Sequence, residues 1–227
     1  MPRVLVLGAT GPCGILIIRE CLSREGYHVV VYARNPSKLP PEFKIHDRVT
    51  IVEGQLDDVQ ALTRAMQGID AVLSALGPRV TAGPFHSPGS PLAHGYKILL
   101  EVMGRAGCKR LIALGTASIK DREHDKFSAT FFALVTGVMT LASTAYHDVV
   151  SIGKVIMESD GVDWTIARVP ILTDQHTTEY IAGYVGDGKT KAWLSRPAFA
   201  KFVVDELEAG VWVKKLPLIS LTSEHVN

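Results

Sequence analysis

Three glycines spaced three apart, Gly8, Gly11 and Gly14, stand in the stretch VLVLGATGPCG near the start of the chain. Val4 to Leu7, just before them, are all apolar, the pattern of a strand covered on both faces inside a parallel sheet. The following ILIIRECL has helical spacing and meets no breaker before Gly26. The chemistry of such a junction is phosphate binding, because a helix N-terminus carries unpaired N–H groups and a partial positive charge. Gly8 permits the tight turn, Gly11 lets backbone approach a pyrophosphate, and Gly14 lets the helix pack close to the strand. With a second strand at residues 28–32, the junction reads as a dinucleotide site, with Thr10, Pro12 and Cys13 completing the loop.

The end of the second strand selects the dinucleotide. An NAD site places a carboxylate there, about 20 residues after the glycines, to hold the ribose 2′-hydroxyl. Here the strand ends VVVYARNPSKL, and no Asp or Glu occurs between Glu25 and Glu42. Arg34 stands in that place, with Ser37 and Lys38 just beyond. A carboxylate would repel a 2′-phosphate, whereas a guanidinium pairs with it through charge-assisted hydrogen bonds. The expected cofactor is therefore NADP(H).

These residues need a sheet to position them, and the rest of the chain supplies its pattern. Strand-like runs at 4–7, 28–32, 49–52, 71–73, 111–114 and 164–167, with a late one near 218–221, alternate with helix-like runs at 15–24, 59–66, 92–105 and 149–158. Such alternation implies a Rossmann-like, doubly wound parallel α/β sheet. The chain is read as a single domain, 1–227, with substrate-side segments at 78–91 and 119–147. A net charge of +1 gives no argument for nucleic acid or an anionic membrane, and the expected partner is a small-molecule substrate. Three cysteines without metal-like spacing and no signal peptide at MPRVLV suit a reducing cytoplasm, and no metal is expected. Residues 127–145 are uncharged and are read as one long apolar helix. Its Ser and Thr content and its place between two strands of one sheet argue for a substrate wall, core or homodimer contact over a membrane span.

GATGPCG, ARNPSKL, GQLDD, SALGP, DGVDWTIARVPILTD and LSRPAFAKFVVDEL follow one another in an order that resembles the atypical short-chain dehydrogenase/reductases with a GATGxxG signature. These are the NmrA-like proteins and the relatives of flavin/biliverdin reductase. The resemblance implies that Thr10 to Cys13 line the pyrophosphate and that Arg34 meets the 2′-phosphate. It further implies that Leu56 and Asp57 flank the adenine, that Ala75, Leu76 and Gly77 lie along the nicotinamide ribose, and that Thr116, Pro170 and Ile171 sit near the nicotinamide ring. Trp164 is assigned to the sheet core by its periodicity.

Proton chemistry is less plainly written. The short-chain mechanism pairs a Tyr with a Lys one helical turn later, and this chain has no YxxxK: Val150 follows Tyr146 at that spacing. The family's lysine position falls near Val149 or Val150. The remaining candidates are Ser118, near the family's strand-five serine, and Tyr146 with Lys154 on one helix. His147 is a further proton-donor candidate beside Tyr146. Cys13 is read as a small filler and DREHDK, residues 121–126, as a solvated loop. The expected activity is NADPH-dependent reduction of a small apolar carbonyl, enone, quinone or flavin-like acceptor. The alternatives are an NmrA-like sensor that binds NADP(H) without turnover and a non-redox isomerase or cyclase on the same scaffold.

Overall fold

Val4, Leu5 and Val6 are wholly buried and Leu7 nearly so, because β1 (Arg3–Leu7) runs through the middle of the sheet. Val4 and Val6 enter one hydrophobic core and Leu5 and Leu7 the other, as alternating side chains of a strand must. In this computed structural model, which describes residues 2–78 and 87–222, eight strands are ordered β3-β2-β1-β4-β5-β6-β10-β8. They are β1, β2 (His28–Ala33), β3 (Val49–Glu53), β4 (Ala71–Ser74), β5 (Arg110–Thr116), β6 (Asp163–Val169), β8 (Ile181–Gly183) and β10 (Leu218–Ser220). Every neighbouring pair is parallel except β10 with β8. The chain reverses its direction of travel across the sheet between β1 and β4, and a crevice at the strand C-termini opens at such a switch point.

Helices cover both faces. On one lie α1 (Pro12–Ser23), α7 (Arg196–Ala209) and the short α2 (Pro41–Lys44), which bring Ile17, Phe199, Phe202 and Phe43 to the first core. On the other lie α3 (Val59–Ala65), α4 (Pro91–Ala106) and α6 (Ser143–Met157), whose Leu62, Tyr96, Leu99 and Ile152 fill the second. The fold is the expected single-domain, mostly parallel Rossmann-like sheet, and Trp164 lies in its core at 6% exposure.

Two expectations are corrected. Residues 127–145 do not form one helix: α5 (Ala129–Leu141) ends at Ala142, and α6 departs at 117° to it. The Thr140 hydroxyl donates to the carbonyls of Thr136 and Gly137, and the turn buries Ala142 and Ala145. No single helix among the described residues is long and apolar enough to cross a membrane. Beyond the expected strands, β7 (Ile171–Thr173) and β9 (Trp193–Ser195) form a separate parallel pair, and β8 runs antiparallel; three-residue strands are too short to show a period.

The second correction concerns residues 121–126, which are not a merely solvated loop. Asp125 holds the fully buried Arg168 through two bonds of 2.6 and 2.8 Å and also accepts from the backbone of Asp121 and Val185. Asp121 is itself buried and accepts from the backbone N–H groups of Glu123 and His124. Of the expected substrate-side segment at 78–91, residues 79–86 lie outside the described residues.

Candidate functional site

The glycine loop is shaped by contact as well as by turn geometry. Gly8 has φ +71°, and a Cβ there would lie 2.8 Å from the Ala75 carbonyl carbon. A Cβ on Gly14 would lie 2.3 Å from the Gly8 oxygen and 2.7 Å from the Ala9 Cα, so α1 can seat against β1 only with glycine at this position. The Gly11 N–H donates to the Gly8 carbonyl at 2.9 Å and closes the turn. α1 then starts at Pro12 with no side-chain cap, which leaves its N-terminal end open toward a ligand. Burial pushes the Cys13 thiol up to about 11, against the pull of the nearby Arg196, so the sulfur is a neutral filler.

At the adenosine end, Arg34 directly follows β2 and is exposed, as is Lys38. The Asn35 side chain accepts from the Ser37 backbone and hydroxyl and folds the chain into a single turn over Pro36–Lys38. Glu53, the register partner of Ala33 on β3, brings one carboxylate to this edge that reading along β2 alone does not reveal. The Tyr32 hydroxyl donates to the Gln55 carbonyl at 2.7 Å and steadies the turn that follows β3. Leu56 packs on Gly95 of α4, where a Cβ would lie 2.2 Å from its Cδ2, while Asp57 points outward and is exposed.

Beyond Ala75 the crevice becomes an apolar cleft of about 50 Å³. Leu76, Gly77 and Pro78 after β4 form one side, and Leu114, Gly115 and Thr116 at the end of β5 form the floor. Ile119 with Val149 and Ile152 of α6 closes the far wall. A Cβ on Gly153 would lie 2.6 Å from Ile119, so that glycine lets α6 approach. The expected Leu76, Gly77 and Thr116 are thus brought together. The wall is α6 and not the apolar α5, whose Phe132 and Leu141 are exposed at 65% and 77%.

The proton candidates separate. Ser118 is buried between Thr116 and Ile119, and its N–H donates to the Thr116 hydroxyl. Tyr146 is half-buried one turn before Val149 and meets His147 edge-on. Lys154 is not brought to the cleft: its side chain is 72% exposed and lies 3.9 Å from Glu158. Five residues past Val149, it has rotated to the outer side of α6. Pro170 and Ile171 join β6 to β7, outside the cleft lining.

Sequence reading missed Asp148. It is wholly buried on α6, and its carboxylate accepts from the backbone N–H groups of Leu92 and Ala93 at 3.2 and 2.9 Å. It thereby caps α4 from another element, since Ser90 at the cap position is left-handed and its side chain makes no capping bond, although its carbonyl accepts from the His94 N–H at 3.1 Å. The buried Ser74 and Tyr96 hydroxyls, 2.6 Å apart, were equally unmarked by any motif.

Oxidoreductase AgnL4 of Paecilomyces divaricatus is 39% identical over 75 residues, 32% of this chain and 29% of that protein. Oxidoreductase aflX of Aspergillus parasiticus is 29% identical over 167 residues, 69% of this chain and 59% of that protein, so less than two thirds of either relative is matched. The crystal structure of a short-chain dehydrogenase/reductase from Veillonella parvula in complex with NADP superposes with a TM-score of 0.80 at 20% identity, covering 99% of this chain and 96% of that one. The family model described as NAD(P)H-binding matches residues 8–209, from the first glycine of the loop to the end of α7, and the chain belongs to that NAD(P)H-binding family.

Proposed function

We propose that the chain is an NADPH-dependent oxidoreductase that reduces a small apolar carbonyl, enone, quinone or flavin-like acceptor. The observation that carries this reading is continuity: the backbone of Ala75 closes against Gly8, and the apolar cleft begins at the next residue, Leu76. A dinucleotide laid across the glycine loop would end over that cleft. The cofactor, when bound, supplies the hydride. Gly8, Thr10, Gly11, Pro12, Cys13 and Gly14 hold its pyrophosphate, with backbone N–H groups as donors. Arg34 and Lys38 pair with the 2′-phosphate, Leu56 and Asp57 flank the adenine, and Ala75, Leu76 and Gly77 follow the nicotinamide ribose. Thr116 would border the ring, with Pro170 and Ile171 just outside the cleft. The walls at Leu114, Val149 and Ile152 exclude water and favour an acceptor without charge. Ser118 would orient the acceptor's oxygen, and Tyr146 or water would deliver the proton; the exposed Lys154 takes no part. Two curated relatives named oxidoreductases agree with this class.

The aliphatic side chains of Val149 and Ile152 in the cleft favour a second reading, a sensor that binds NADP(H) without turnover. One experiment separates them: the absorbance of reduced nicotinamide is followed while NADPH and the protein are mixed with a panel of quinones, enones, aldehydes and flavins. Consumption of NADPH with at least one class, slowed in Ser118→Ala or Tyr146→Phe, is the expected result. Unequal affinity for NADPH and NADP+ with no consumption across the panel would replace the reductase by the sensor. Substrate converted with no net loss of NADPH would point to the isomerase or cyclase.

A further inference from the structure

The glycine loop itself contains no cation, yet a dinucleotide pyrophosphate carries two negative charges. A cation is nonetheless built beside it. α1 and α7 pack side by side in the first core, where Cys13 of α1 shares one cluster with Leu194 of β9 and with Ala198 and Phe199 at the start of α7. Their C-terminal ends are tied together: Arg24 meets Asp205 at 2.5 Å and Glu208 at 2.7 Å, and the Tyr27 hydroxyl donates to Glu208 at 3.0 Å. From Pro12 to Arg24 the chain rises about 18 Å, and from Arg196 to Asp205 about 14 Å. The two helices therefore run in the same direction, and their N-termini open at the same end within about one turn of each other. Packed helices are about 8–10 Å apart, within reach of an arginine side chain.

Arg196 is the first residue of α7, and Ser195, not Arg196, caps that helix through the Ala198 N–H. The Arg196 side chain is largely covered, at 23% exposure, and its guanidinium is paired with Asp174, whose side chain is 93% exposed. A carboxylate so fully in water is a weak partner. The guanidinium is also close enough to Cys13, the second residue of α1, to bear on its thiol.

We propose that Arg196 is a pyrophosphate ligand, held beside the glycine loop by Asp174 and exchanging that carboxylate for a phosphate oxygen when the dinucleotide binds. The inference rests on the dinucleotide reading of Gly8–Gly14 and adds the cation that this loop lacks. Guanidinium suits the task because its planar fork bonds two phosphate oxygens at once. Asp174 then acts as a competitor that lowers affinity for any dinucleotide, whichever ribose it carries.

Calorimetric titration of the full chain with NADPH and with NADH tests this. Arg196→Ala should weaken both by a similar factor, roughly tenfold to a hundredfold, the loss of one charge-assisted contact. Arg34→Ala should weaken NADPH alone. Asp174→Asn should tighten both severalfold, and Arg196→Lys should recover only part of the loss. Thermal melts of the variants establish that each is folded. Unchanged affinity in Arg196→Ala, or a loss confined to NADPH, overturns the assignment while the dinucleotide site stands; weaker or equal binding in Asp174→Asn removes the competitor role. A parent chain that binds neither dinucleotide fails the site itself and the inference with it.

Discussion

Gly14 is held by two backbones at once. A single added methyl would sit 2.3 Å from the Gly8 oxygen and 2.7 Å from the Ala9 Cα, and neither atom belongs to a flexible side chain. Gly14→Ala must therefore push α1 away from β1, at a cost of about 1–3 kcal/mol or more for overpacking a closed site. The expected outcome is a clearly lowered Tm together with loss of NADPH affinity; a variant that melts like the parent would show that the loop has slack. Cysteine chemistry is decided at the same scale. Burial pushes Cys13 and Cys108 up to about 11 and Cys21 to about 12. At pH 8 the thiolate fraction is then on the order of a thousandth or less, so the folded chain should resist alkylation and the denatured chain should react at all three. Rapid labelling of the native protein, read by mass spectrometry, would contradict this burial.

At the scale of elements, the folded units are joined by carboxylates whose partners lie far away in sequence. Asp148 on α6 caps α4, and Asp125 in the loop before α5 holds Arg168 of β6. Removing one partner of a buried pair leaves the other charge uncompensated, so Asp125→Ala should cost about 3–5 kcal/mol in a denaturant melt. Replacing exposed Glu123 by Ala should cost almost nothing, and equal effects from the two would show that the Arg168 pair is not a structural tie. The same contrast explains what could be read in the sequence. β1, the glycine loop, α1 and the end of β2 announce themselves because strand, turn and helix signals lie within a few dozen consecutive residues. Asp148 carries no such signal, since a cap supplied from another helix depends on where the two meet in space. Residues 121–126 resemble any charged loop until Arg168 is seen behind them. The break at Ala142 escaped because the uncharged run continues through it and only the burial of Ala142 and Ala145 shows the turn.

For the whole molecule, acid stability follows from three aspartates that fasten the elements added beyond the first five strands. Asp121, Asp187 and Asp205 all lie below the ordinary aspartate value of 3.8. In each, burial works to raise the pKa and is outweighed by hydrogen bonds. Asp121 is stabilised by the His124 ring and by two backbone N–H groups, and Asp187 by the N–H groups of Thr190, Tyr184 and Lys189. Asp205 is held by Lys201, Tyr180 and Arg24, which tie α7 to the C-terminal end of α1. A carboxyl whose folded pKa lies below its unfolded one contributes stability above the unfolded value and loses it as pH falls through the folded value. Tm should therefore hold nearly level from pH 7 down to about 5 and then fall steeply below about pH 4, as these groups take up protons on unfolding. Asp205→Asn removes one of the three titrations while its amide oxygen still accepts from Tyr180, so the variant should start from a lower Tm at neutral pH and lose less on acidification. Parallel Tm-against-pH curves for parent and variant would instead assign the acid limb to other carboxylates and leave the α1–α7 tie as a packing contact.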